Sequence, residues 1–274
     1  MKRISILIII VAAFSLTFAV AGCGGSHKSG RSSGSGGGGS TGGGGSTGTG
    51  TGGGGNGGGP TDVPFGGSSG GSGGSGSSGT TPSGVSYNLI VPGSYSESSP
   101  NELLIVFSGT EGASTMTSNL RQNGDKIGSF ICAVLDGPTY RGNGQAGADV
   151  IDDVRANFNI DNDRTCLLGE SAGTTAALEL GFQLRQSYFA AYWANDVNAS
   201  GTPSQTAAEL GFAPWGNAGP GGDYPDANAI VDGMRNAGYR LPDDAPYSGP
   251  GAGQHGSITQ FHEALSFFSG KTRQ

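Results

Sequence analysis

The chain has 274 residues, of which 56 are glycine, and its formal charge is −7. Glycine supplies 30 of the 61 residues between Gly24 and Gly84, and a segment with so few apolar side chains cannot bury a core of its own. Residues 85–274 carry 20 acidic and 10 basic side chains, which excludes a basic face for nucleic acid. The composition therefore predicts one folded domain over 85–274.

The first 23 residues have the pattern of a targeting segment. Met1-Lys2-Arg3 is basic, residues 4–20 are apolar, and the stretch ends in small residues. Val20-Ala21-Gly22-Cys23 resembles the lipobox of bacterial lipoproteins, in which the cysteine is acylated and the preceding peptide is removed. This predicts a signal peptide over 1–22 and a lipid anchor on Cys23 that attaches the protein to a membrane. The alternative is an ordinary signal, or an uncleaved anchor helix, in which Cys23 has no role.

The resemblance to lipoproteins also predicts a location. Gly24, rather than aspartate, follows the cysteine, and by lipoprotein sorting rules this favours the outer membrane or cell surface of the cell envelope. Residues 23–84 are then predicted to be a disordered Gly/Ser tether with a reach of roughly 40–50 Å. The tether is predicted to be dispensable for folding.

The body alternates short apolar runs with amphipathic segments, a pattern typical of strands interleaved with helices. Predicted strands lie at 103–107, 131–135, 165–168, 189–193 and 210–215, and predicted helices at 150–158, 174–184, 227–237 and 258–268. Continuous apolar strands indicate a sheet covered on both faces. The predicted class is therefore α/β, a three-layer sandwich with a mostly parallel central sheet.

Two cysteines, Cys132 and Cys166, fall inside predicted strands. Beyond the inner membrane a disulfide could form between them, and the sequence does not settle their pairing. Burial as small hydrophobic residues is the preferred interpretation, because both strands are predicted to be covered by helices.

The G-x-S-x-G pattern occurs by chance in the Gly/Ser segment, but the copy centred on Ser171 lies between a predicted strand and a predicted helix. This is the context in which a sharp turn presents a nucleophilic serine above the edge of a sheet. The backbone N–H of Ala172 would then help to stabilise an oxyanion at the helix amino terminus. The alternative is a noncatalytic serine that caps the helix.

A serine nucleophile needs a general base, usually a histidine. His255 lies in a predicted loop late in the chain, whereas His262 lies inside the last predicted helix. The order of nucleophile, acid and histidine along the chain favours His255 as the base. The alternative is that His255 is an exposed loop residue without a role.

The acid of the triad should lie between the serine and the histidine. Asp223 is the first choice, because it follows an apolar stretch and precedes an amphipathic helix. Asp226 has a competing role as the cap of that helix. Asp196, after the strand at 189–193, is a further candidate, as are Asp243 and Asp244.

A second oxyanion donor is expected from the loop that follows the strand at 103–107. Small residues in Ser108-Gly109-Thr110-Glu111-Gly112 would let the backbone reach a substrate oxygen. Thr110 is the preferred donor, with Gly109 as the alternative.

Three segments in order carry a resemblance to a known family. These are the acidic helix at 149–154, the turn Asp161-Asn162-Asp163-Arg164, and Gly169-Glu170-Ser171-Ala172-Gly173. In this order they resemble the α/β-hydrolases, in particular the branch of secreted esterases and polyhydroxybutyrate depolymerases. The resemblance implies Ser171 as nucleophile, His255 as base and a carboxylate near Asp223.

The predicted activity is hydrolysis of a carboxylic ester through an acyl-enzyme intermediate, on a small-molecule or polymer substrate. No metal or cofactor is expected, because the sequence has no ligand cluster at metal spacing and no phosphate loop outside the tether. A serine peptidase or acyltransferase of the same fold is one alternative. A noncatalytic binding protein displayed at the cell surface is another.

Overall fold

The computed structural model describes residues 63–274, so the predicted signal peptide, Cys23 and residues 24–62 lie outside the described residues. The strands are β1 (Ser78–Thr80), β2 (Ser86–Ile90), β3 (Asn101–Phe107), β4 (Ile131–Leu135), β5 (Ile160–Glu170), β6 (Phe189–Val197) and β7 (Trp215–Pro220). They form one sheet with the order β1-β2-β4-β3-β5-β6-β7. Strands β3 to β7 are mutually parallel. At one edge of the sheet β2 runs antiparallel to β4, and β1 runs antiparallel to β2. The predicted α/β class with a mostly parallel sheet is confirmed.

Helices cover both faces of this sheet. They are α1 (Gly112–Gln122), α2 (Gly124–Ile127), α3 (Gly144–Asn157), α4 (Thr174–Glu179), α5 (Ala207–Leu210), α6 (Tyr224–Asn236) and α7 (Ile258–Phe267). Leu103 and Ile105 of β3 belong to the apolar cluster with α3, α4 and α6, whereas Leu104 belongs to the cluster with α1, α2 and α7. Alternate strand residues thus face opposite helical layers. No helix within residues 63–274 is both long and apolar enough to cross a membrane.

Residues 63–84 belong to the folded body, which corrects the predicted start of the domain at residue 85. Strand β1 pairs with β2, and Ser69 N–H donates to Ile160 O at 2.8 Å. The buried Arg273 side chain donates to Val63 O at 2.9 Å and to Pro64 O at 2.7 Å. The composition concealed this packing because the segment is held largely by backbone hydrogen bonds, which need no apolar side chains.

The last strand also differs from the prediction. Residues 210–215 were expected to form it, but Leu210 ends α5 and β7 begins at Trp215 in glycine-rich sequence. Glycine is required there because neighbouring side chains fill the space: a Cβ on Gly219 would lie 2.6 Å from Asn195 Oδ1.

Cys132 and Cys166 are free thiols, and both are fully buried. Each is paired in register with Leu104 of β3, Cys132 from β4 on one side and Cys166 from β5 on the other. Two strand spacings, about 9–10 Å, therefore separate their backbones, beyond the reach of a disulfide. Burial raises the pKa of the Cys132 thiol to about 12.

Candidate active site

Ser171 lies at a sharp turn where β5 ends and a 3₁₀ turn, Ser171–Gly173, leads into α4. Its φ is +46°, a left-handed conformation that is rare for residues with a side chain. Flanking glycines allow the turn, because a Cβ on Gly173 would lie 2.6 Å from Phe107 O and one on Gly169 would lie 2.5 Å from Ala177 Cβ. The serine hydroxyl is thus presented at the carboxyl end of a central strand, as in a nucleophile elbow.

His255 lies on the loop that precedes α7, and its Nε2 is 3.1 Å from Ser171 Oγ. At this distance the imidazole can take the proton of the serine hydroxyl. Ser171 is buried and His255 is exposed, so the pair lies at the protein surface with the serine side chain sheltered. The structure brings together the two residues that the sequence singled out as nucleophile and base, while His262 lies apart from them within α7.

Asp196, at the carboxyl end of β6, has its carboxylate against the loop that carries His255. The residue is 1% exposed and has a φ of +48°. Its Oδ2 accepts a hydrogen bond from Gly256 N–H, and its Oδ1 accepts one from Gln260 Nε2 at 2.9 Å. A Cβ on Gly221 would lie 2.9 Å from both Asp196 Cα and His255 Nδ1, so this glycine leaves room for the ring. Within the described residues Nδ1 itself makes no hydrogen bond.

Asp223, the first choice for the acid from the sequence, has a different environment from that of Asp196. It is an exposed residue directly before α6, and its side chain does not cap that helix. Asp226 lies in the first turn of α6, and Asp243 and Asp244 are exposed in a later loop. In the part of the chain that the structure describes, none of these four carboxylates is hydrogen bonded to the His255 loop, whereas that of Asp196 is.

The candidate oxyanion donors lie on two segments. Ala172 is buried at the start of the 3₁₀ turn, where backbone N–H groups have no partner within the helix. The loop after β3 is tied to the next loop, because Ser108 Oγ accepts a hydrogen bond from Gly137 N–H at 2.9 Å. Gly109 N–H donates to Glu111 Oε1 at 2.9 Å, so this alternative donor is already engaged. Thr110, the preferred donor, is exposed on the same loop.

No protein-family model and no curated protein sequence matches the chain. A thermostable esterase superposes with a TM-score of 0.51 and 14% identity, over 72% of this chain and 62% of that one. S-formylglutathione hydrolase FrmB of Staphylococcus aureus gives a TM-score of 0.49 and 15% identity, over 69% and 92% of the two chains. LpqC, a poly(3-hydroxybutyrate) depolymerase of Bordetella parapertussis, gives 0.46 and 13%, over 67% and 81%.

The chain has the α/β-hydrolase fold. The superposition on the esterase and the strand order of the sheet agree on this. In this hydrolase fold Ser171 follows a central strand, β5, and His255 precedes the last helix, α7. Both side chains therefore meet at the carboxyl edge of the parallel sheet, where ligands bind in open α/β folds.

A buried polar cluster beside the elbow was missed by the sequence analysis. Glu170 is 8% exposed, and its Oε2 accepts a hydrogen bond from Asn195 Nδ2 at 2.9 Å. Asn195 Oδ1 in turn accepts one from Trp193 Nε1 at 3.2 Å. Burial and then the negative charge of Asp196 raise the pKa of the Glu170 carboxyl well above its usual range.

The sequence did carry a signal for Glu170. Cys166 and Leu168 of β5 face the layer of α1, α2 and α7, and the alternation of strand residues places Glu170 on the same buried face. A carboxyl group at a core position of a strand needs partners.

Among residues 63–274, no three His, Cys, Asp or Glu side chains are grouped so that they could hold a metal ion.

A cavity of about 220 Å³ adjoins Ser171 and His255. Its lining includes Glu170, which precedes the serine, and Gly256, which follows the histidine. Met116 of α1 and Phe261 of α7 supply apolar surface, and Glu111 adds a carboxylate from the loop after β3. This cavity is small, mixed in polarity and close to Ser171.

Proposed function

We propose that the protein is a serine hydrolase that cleaves carboxylic esters through an acyl-enzyme intermediate. The observation that supports this most directly is the 3.1 Å hydrogen bond between Ser171 Oγ and His255 Nε2 at a strained strand-to-helix turn. A serine hydroxyl is a weak nucleophile until a base takes its proton, and His255 lies within hydrogen-bonding distance to do so. The fold shared with a thermostable esterase agrees with this activity.

In the proposed reaction Ser171 Oγ attacks the ester carbonyl carbon while His255 Nε2 takes the hydroxyl proton. In this reaction the backbone N–H groups of Ala172 and Thr110 donate hydrogen bonds to the oxygen that becomes negative. Collapse of the tetrahedral intermediate expels the alcohol, which receives the proton from the imidazolium. Water then gives its proton to the imidazole and attacks the acyl group, releasing the acid. Asp196 holds the His255 loop and favours the imidazolium by its charge.

The cavity beside the pair favours small substituents on the ester. Its volume of about 220 Å³ is below that of pockets which enclose drug-sized ligands, roughly 300–1,000 Å³. We therefore expect short-chain acyl esters to be hydrolysed faster than long-chain ones. A polymer ester would be cleaved if its short repeating unit enters this cavity.

Labelling with a fluorophosphonate probe tests the nucleophile. The full chain should become labelled and should hydrolyse nitrophenyl acetate, Ser171→Ala should do neither, and Ser118→Ala, which changes an exposed serine of α1, should do both. A wild-type chain that does not react would contradict the catalytic proposal and favour a binding role. Labelling without ester hydrolysis would point to a peptidase or acyltransferase.

Two aspartate variants identify the acid. We expect Asp196→Asn to lower kcat by roughly 100-fold, because it removes the negative charge that favours the imidazolium and weakens the hydrogen bond that holds the His255 loop through Gly256 N–H. Asp223→Asn changes an exposed carboxylate and should leave kcat near that of the wild type. The reverse ranking, measured with nitrophenyl acetate, would assign the acid to Asp223.

We further propose that a lipid anchor on Cys23 holds the enzyme in the cell envelope, at the outer membrane or cell surface. The motif Val20-Ala21-Gly22-Cys23 supports this. Growth with an alkyne fatty acid should label the wild-type chain and leave Cys23→Ser unlabelled. Equal labelling of both would rule out Cys23 as the attachment point.

A further inference from the structure

Glu170 and Asn195 are opposite each other in the last paired register of β5 and β6. Glu170 directly precedes Ser171, and Asn195 directly precedes Asp196. The 2.9 Å hydrogen bond between their side chains therefore joins the two strands at the point where each turns into the site. Both following residues have a positive φ, so both turns are strained at this position.

Glu170 and Asp196 are both buried, and Asn195, which donates to Glu170, directly precedes Asp196 in the chain. The negative charge of Asp196 is close enough to raise the pKa of the Glu170 carboxyl group. Two carboxylates this close and this poorly hydrated do not both stay ionised, so the pair shares one proton. Asp196 accepts two N–H hydrogen bonds, from Gly256 and Gln260, whereas Glu170 accepts one, from Asn195. Because Asp196 accepts more hydrogen bonds, its negative charge is the better stabilised of the two. The shared proton therefore resides on Glu170.

The other groups around Glu170 reinforce this distribution. Glu111, from the loop after β3, adds a second negative charge near Glu170. The ring of His255 is hydrogen bonded to the adjacent Ser171. In the described part of the chain, no lysine or arginine forms an ion pair with Glu170, and Asn195 is its neutral donor. Negative neighbours without a positive partner favour the protonated form of Glu170.

We propose that Glu170 is a positioning residue that stays protonated and donates a hydrogen bond to the Asp196 carboxylate, holding that carboxylate against the His255 loop. The proposal rests on the proposed roles of Ser171 and His255. It has a consequence for pH: as the pH rises and Glu170 loses its proton, a second negative charge pushes Asp196 away from its donors. Activity should therefore fall on the alkaline side.

Two variants of the full chain test this role. Gln in place of Glu170 keeps the shape, the acceptor for Asn195 and a neutral donor for Asp196. We expect Glu170→Gln to retain kcat within about 5-fold and to lose the alkaline decline. Glu170→Ala should lower kcat by about 100-fold with a much smaller change in KM, because the carboxylate of Asp196 is no longer held. Glu97→Gln, at an exposed glutamate, is the matched control and should behave as wild type.

Three results would overturn the proposal. One is an equal loss of kcat in Glu170→Gln and Glu170→Ala, which would mean that the ionised carboxylate is needed. The second is wild-type kcat in Glu170→Ala, and the third is an alkaline decline that persists in Glu170→Gln.

An infrared difference spectrum keeps the test decisive if Glu170→Ala does not fold. The carbonyl stretch of a protonated carboxylic acid should appear in the wild type at neutral pH and should be absent from Glu170→Gln. Its absence from the wild type would refute the proton on Glu170. Fluorophosphonate labelling of Ser171 reports separately on the proposed function, so a failure of that function is distinguishable from a failure at Glu170.

Discussion

Residues 63–84 and the carboxyl edge of the sheet are both rich in glycine, but most glycines of the first region have a positive φ and open surroundings, whereas the two that flank Ser171 are closely packed. Gly66 and Gly70 have a φ of +71° and no atom within 4 Å of the position of a Cβ. At the edge, Gly169 and Gly173 have ordinary φ values, and a Cβ on either would lie within 2.6 Å of another residue.

The difference shows that glycine serves two purposes in this chain. In residues 63–84 many glycines set the path of the backbone, which must turn repeatedly to stay on the surface of the body. At the carboxyl edge they remove volume, so that strands and turns can approach closely around Ser171. A count of glycines along the sequence treats the two regions alike and therefore predicts both to be irregular.

The largest effect is expected when residues 63–80 are removed. A chain that begins at Thr81 lacks β1 and the carbonyl groups of Val63 and Pro64, which accept hydrogen bonds from the buried Arg273. Because each unsatisfied buried donor costs roughly 1–3 kcal/mol, we expect the free energy of unfolding to fall by about 4 kcal/mol. Urea unfolding measures this against a chain that begins at Val63. Equal stability of the two would restore the domain boundary predicted from composition.

A methyl group at the elbow tests the second region. A Cβ on Gly173 would lie 2.6 Å from Phe107 O, so Gly173→Ala must move the turn that carries Ser171. We expect a loss of about 3 kcal/mol in stability from overpacking and a fall of about 100-fold in kcat/KM from misplacement of the nucleophile. Thermal unfolding and ester hydrolysis measure the two effects. Wild-type kcat/KM in this variant would mean that the close contact is not needed.

The smallest effect is expected at an open glycine in residues 63–84. Gly70→Ala places a side chain at a φ of +71° without a clash, so we expect a cost of about 1 kcal/mol in stability and unchanged kcat/KM. Gly93→Ala, at an exposed glycine with ordinary φ and open space, is the control and should be nearly neutral. A loss of activity in Gly70→Ala would show that the two regions are coupled.

The fold was predictable where local sequence and tertiary packing agree. Residues 131–135 are apolar throughout, and they form β4 with the predicted bounds. The turn at Ser171 was predictable because an apolar strand and a helix flank it. Strand β7 was not predictable, since Gly216 and Gly219 reflect the side chains of neighbouring elements rather than the strand's own propensity.

The site was predictable in part. Ser171 and His255 have few competitors in the sequence, because the chain offers two histidines after residue 84. Choosing among the aspartates depends on burial and on contacts across the sheet, which the sequence does not display; Asp196 is buried on β6 and Asp223 is exposed. Glu170 was not predicted to have a role, because it occupies a variable position of the G-x-S-x-G pattern. Its proximity to other carboxylates becomes visible only in the structure.

The two buried thiols on either side of Leu104 have a practical use. Cys132 and Cys166 are completely inaccessible, and burial raises the pKa of each thiol, so neither reacts while the sheet is closed. Both thiols face the layer of α1, α2 and α7, so a thiol reagent can reach them only when that layer moves away from the sheet. Their rate of modification under native conditions therefore measures how often this part of the core becomes exposed to solvent.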